Sequence, residues 1–77
     1  MKRERYKGYV LVAKADKVRG QRIWTARVFI ERFITGGWQD VPIPGLEWQQ
    51  FDGEVDALSV ALSHGRHYVD GILPQRQ

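Results

Sequence analysis

The chain reads as an α+β domain, a three-stranded antiparallel meander (β-β-β-α) with one C-terminal amphipathic helix packed on one face. Three observations predict it. Residues 51–74, FDGEVDALSVALSHGRHYVDGILP, repeat apolar side chains at helical spacing. Trp24, Ala26, Val28 and Ile30 form an unbroken alternate row in the stretch 22–34, as a half-buried strand does. Polar, glycine-bearing turns at 16–21 (DKVRGQ) and 35–37 (TGG) separate the extended stretches.

The helix is expected over 53–71. At 100° per residue, Val55, Leu58, Ala61, Leu62, Gly65, Tyr68, Val69 and Ile72 share one face, and Glu54, Asp56, Ser59, Ser63, Arg66, His67 and Asp70 lie opposite. Asp52 is positioned as N-cap, and Glu54 and Asp56 suit the positive end of the helix dipole. Gly71 supplies a left-handed C-terminal residue and Pro74 forbids continuation. Gly65 costs about 1 kcal/mol of helix propensity relative to Ala. Its place in the middle of the apolar face predicts close approach to a sheet. Small Ala26 is its expected opposite number, with Trp24 and Tyr68 filling the flanks.

Residues 1–5 are charged and expected to be disordered. Residues 6–15 form the first strand, with Tyr9, Leu11 and Ala13 on one face and Val10 and Val12 on the other. The second strand spans 22–34. A third is expected over 38–43, where Pro42 and Pro44 lack ladder donors and confine it to an edge. Trp48 and Phe51, in an extended piece leading to the helix, are expected to close the open end of the core. No linker divides the chain, so 1–77 is one domain, near the lower size limit for an unstapled core.

There is no cysteine, which excludes disulfides and thiolate chemistry in this chain and fits a reducing compartment. No apolar run reaches the roughly 20 residues of a membrane span, and the basic start reads as a strand, not a signal peptide. A cytoplasmic protein is expected. The net charge of +3 hides an asymmetry. Residues 1–32 carry 10 Lys/Arg against 3 Asp/Glu, and residues 33–77 carry 2 against 6. Such a split suits an anionic partner or self-association, although a basic hairpin beside an acidic helix gives it too.

Catalysis finds little support in these residues. Ser63, His67 and Asp70 fall on one exposed helical stripe, which offers no pocket, oxyanion donors or shelter from water. His64 and His67 with Asp70 lack the further ligand that would close a metal site. No glycine-rich loop precedes a helix, so no phosphate cradle is expected. The reading is a non-enzymatic domain with no catalytic residue, metal, cofactor or small-molecule ligand.

A binding surface fits better. One helix covers one sheet face, leaving Val10, Val12, Ile23, Arg27, Phe29 and Phe33 as an apolar patch holding a cation. The favoured use is pairing with a second copy or another protein across this open face. The alternative is a nucleic-acid interface, with Phe29 and Phe33 stacking on bases and Lys14, Lys17, Arg22, Arg27 and Arg32 on phosphates. A third reading folds residues 38–48 back over the patch and buries it.

Tyr6-Lys7-Gly8-Tyr9, the Trp24-x-Ala26-x-Val28-x-Ile30 row, Phe51-Asp52 and Gly65-Arg66-x-x-Val69-Asp70 resemble small proteobacterial β-β-β-α domains of unknown function. That resemblance covers most of the chain and implies a fold and a bacterial source but no activity. Val41-Pro42-Ile43-Pro44-Gly45 is similar to a segment before the capped helix in the sheet-plus-helix half-domain of HicB-type antitoxins. Antitoxin activity is not carried over, because no DNA-binding appendage follows Pro74. A likeness of outline to double-stranded RNA-binding domains fails at the helix start, where Asp52, Glu54 and Asp56 would repel phosphate.

Overall fold

A computed structural model describes residues 1–72. The fold is α+β, an antiparallel sheet with one C-terminal helix, but the sheet has four strands where three were expected. They are β1 (Lys2–Tyr6), β2 (Tyr9–Lys17), β3 (Trp24–Ile34) and β4 (Gly37–Pro42), in sequence order across the sheet, followed by α1 (Glu54–Ile72). The extents, 46 × 32 × 18 Å, leave thickness for one sheet layer and one helix layer and no third.

The additional strand is the segment expected to be disordered. Tyr6 pairs with Tyr9 across the two-residue turn Lys7-Gly8, and the ladder runs on to Lys2 opposite Ala13. Lys7 (φ 49°) and Gly8 (φ 85°) are both left-handed, the form whose twist matches flanking antiparallel strands. A lysine in that region costs roughly 1–2 kcal/mol. Its Nζ meets an Asp70 carboxylate oxygen at 2.6 Å, which ties the strained turn to α1.

The core lies between the sheet and α1. Leu11, Ala13, Ala26, Val28 and Ile30 of the sheet meet Ala57, Ala61, Leu62 and Val69 of the helix, all nearly inaccessible to solvent. Ala57, Ala61, Gly65 and Val69 recur every fourth residue, a buried row of small side chains on the sheet. A Cβ at Gly65 would lie 3.1 Å from Val28 Cγ2 and 3.2 Å from Leu11 Cδ1, so backbone and sheet touch here. The close approach is as expected, but its partners are Val28 and Leu11 and not Ala26.

The helix also differs in detail. Val55, assigned to the apolar face, is 79% exposed, and Ala57 is buried instead. Gly53, not Asp52, directly precedes the helix, and its carbonyl accepts from Ala57 N–H at 3.1 Å. Gly71 lies within the helix without a left-handed backbone, and Ile72 is exposed. Pro74 falls outside the described residues.

Residues 43–51 pass to the helix side. Ile43 N–H donates to Val28 O at 2.9 Å, so the adjacent Pro42 nitrogen faces away from β3, where a missing N–H costs nothing. Ile43 and Leu46 enter the core, and Phe51 exchanges two backbone hydrogen bonds with Trp24, at 2.8 and 2.9 Å. Phe51 thus closes the end of the core as expected. Trp48 does not, being 92% exposed.

Candidate functional site: the open face of the sheet

Register decides which side chains share the uncovered face. Val12 pairs with Arg3 on one side and Phe29 on the other, Val10 with Arg5 and Glu31, and Lys14 with Arg27. Phe29, Glu31 and Phe33 pair in turn with Pro42, Asp40 and Trp38 of β4. Antiparallel partners point the same way, so these residues form one surface opposite the helix. Residues 43–48, which could have buried it, run along the other side, and among the described residues no segment crosses it.

The surface is less apolar than the sequence predicts. Val12 is only 2% exposed although it lies outside the helix-side core. Arg3 reaches across β2 to Glu31 at 2.9 Å, over the valine row, and the long stems of such side chains shield what lies beneath. Lys14 Nζ and the Arg27 guanidinium lie 5.2 and 5.9 Å from the Phe29 ring centroid, and Arg27 also pairs with Asp16 at 2.9 Å. Phe29 is therefore half-buried, with cations where a stacking base would go. Phe33 and Trp38 remain accessible, 66% and 67% exposed, with rings edge to face at 5.3 Å. Trp38 was not among the expected interface residues; its pairing with Phe33 through the Thr35-Gly36 turn was the signal for it.

The other expected residues scatter. Ile23 precedes β3, half-buried in the β2–β3 loop, where its carbonyl accepts from Val18 N–H at 2.7 Å. Arg32 pairs with Gln39 on the helix side of the sheet. Lys17 and Arg22 flank the same loop as Arg19, and none of the three has an ion-pair partner among the described residues. Of the five candidate phosphate contacts, only Lys14 and Arg27 stand on the open face.

The polar chemistry of the helix is spent on tethering. Asp70 accepts from Tyr6 Oη at 3.0 Å and from Lys7 Nζ. The Lys7 hydrogen bond, with help from Tyr6, holds the Asp70 carboxyl below its ordinary value, and Asp70 raises the Lys7 ammonium above its own. Arg66 donates to both Glu4 carboxylate oxygens, at 2.8 and 2.7 Å. His64 Nε2 lies 2.6 Å from Pro44 O, and since a carbonyl only accepts, that nitrogen carries the proton. The Glu47 carboxyl, accepting backbone N–H bonds from Glu47 itself and from Gly45, is held below its ordinary value. Asp70 thus bonds to Tyr6 and Lys7, and no hydrogen bond joins it to His67, or His67 to Ser63, among the described residues. Among the described residues no three His, Asp or Glu side chains cluster as metal ligands, and no helix is long and apolar enough to cross a membrane. Comparison of the chain with protein-family models, with curated proteins and with solved structures returns no match.

Proposed function

We propose that this chain is a non-catalytic interaction domain that pairs with a second copy through the open face of its sheet. One observation carries the reading. Phe33 and Trp38 stand side by side in solvent on a sheet face that no other described segment covers. Around them the face mixes Arg3, Arg5, Lys14 and Arg27 with Asp16, Glu31 and Asp40, a near balance that lets two copies meet without strong repulsion. Two such faces pack about 10 Å apart with the aromatic pairs interdigitated across a two-fold axis. Sedimentation at micromolar concentration is the test. A dimer that persists at high salt, and that Phe33→Ser with Trp38→Ser returns to a monomer of unchanged fold, supports the reading. A wild-type monomer at millimolar concentration sinks it.

The second reading is a nucleic-acid-binding module using the β2–β3 hairpin. It is favoured by Lys17, Arg19 and Arg22, three cations within six residues at an exposed loop and without acidic partners among the described residues. Its signature is an oligonucleotide affinity that falls steeply between about 50 and 200 mM salt.

A further inference from the structure

β1 is an outer strand of the sheet, and its edge lies beside a trough under the helix. Because Tyr6 and Tyr9 flank a two-residue turn, Tyr6, Glu4 and Lys2 direct their backbone groups at β2. The N–H and C=O groups of Arg3 and Arg5 therefore point outward, with no strand beyond them among the described residues. β1 begins at Lys2 opposite Ala13, whereas β2 continues to Lys17. The first turns of α1 stand over a trough of about 360 Å³ beside β1. Its walls include Val55, Leu58 and Leu62, with Lys2 and the Glu4–Arg66 pair at the rim.

We infer that this edge and trough bind an extended peptide of alternating acidic and apolar residues, added beside β1 as a fifth strand. Backbone bonding to Arg3 and Arg5 supplies the docking, and the two rows of side chains supply the selectivity. On the open face the added strand lies beside Arg3, 56% exposed, and Arg5, which has no ion-pair partner among the described residues. Carboxylates belong there. On the helix face it lies against Val55, Leu58 and Leu62, and the acidic first turn, Glu54 and Asp56, disfavours a carboxylate on that side. Apolar side chains belong there. A second copy of β1 is a poor occupant, since two KRERY edges set three cations against three. The inference does not rest on pairing through the open face.

An acetylated and amidated peptide of alternating Glu and Val, titrated into isotope-labelled protein, tests it by nuclear magnetic resonance. Saturable shifts are expected at β1, Val55 and Leu58, with slowed amide exchange at Arg3 and Arg5. The same peptide with Lys for Glu is expected not to bind. Arg5→Glu and Val55→Asp alter exposed side chains and are expected to weaken binding about tenfold each, with the wild-type exchange data standing whatever those variants do. No saturation by about 1 mM peptide, equal binding of the Lys peptide, unprotected Arg3 and Arg5 amides, or shifts centred on Phe33 and Trp38 would each overturn it.

Discussion

Two faces of one sheet are held together in different ways. On the helix side, Leu11 and Val28 close on Gly65 within a buried cluster that also holds Ile30, Ala57 and Ala61, and water is excluded. On the open side, the same strands cover their valines with ion pairs (Arg3 to Glu31, Arg27 to Asp16) and with cations laid over Phe29. Apolar contact in a closed layer contributes in proportion to area buried and fails abruptly when a void opens. Exposed ion pairs contribute little each and fail gently. Stability therefore resides in the closed layer, and the open side tolerates substitution.

Substitutions on the helix side should dominate. Leu11→Ala is expected to lose about 2–5 kcal/mol in chemical denaturation, enough to unfold much of the population of so small a domain. Gly65→Leu comes next, at about 1–3 kcal/mol or more, because the added atoms have only Val28 and Leu11 to displace. A Gly65→Leu protein with unchanged melting would show that α1 rests elsewhere. Trp24, half-buried at the end of the core, should cost less on truncation than a fully enclosed tryptophan.

On the open side, a double-mutant cycle on Arg3 and Glu31 is expected to return a coupling of about 0.2–1 kcal/mol, shrinking with salt. A coupling larger than the stability lost in Leu11→Ala would reverse the contrast between the faces. Smallest is the pH response of the Lys7–Asp70 tether. Asp70 titrates below its unfolded value, so its contribution is complete above that value and is lost as pH falls through the folded one. Lys7 titrates above its unfolded value, so the same contact is complete below that value and is lost as pH rises through the folded one. Asp70→Asn should therefore flatten the outer limbs of a stability–pH curve and leave its centre little altered. Unchanged limbs would remove the tether from the account.

The core was legible because it is periodic. Alternation from Trp24 to Ile30 and helical spacing from Ala61 to Val69 place side chains on faces without knowledge of any neighbour. β1 was not legible that way, since KRERY has no apolar rhythm. Lys7-Gly8 between two tyrosines was its only local signal, and that signal concerns the turn more than the strand. The candidate patch was half legible. Parity put Val10, Val12, Arg27, Phe29 and Phe33 on one face, but said nothing of Arg3 reaching over Val12 or of Trp38 arriving beside Phe33.

The helix, the two long strands and the need for a glycine where they meet follow from the amino-acid order alone. Their basis is the chain's own repeat lengths and the bulk of its side chains. Long-range contact alone settles that the charged N-terminal segment completes the sheet, that Ile43, Leu46 and Phe51 pack on the helix side, and that Phe33 and Trp38 stand together in water on the open face. Those outcomes depend on which distant backbones share hydrogen bonds and which long side chains reach across a strand, and neither is written in local spacing.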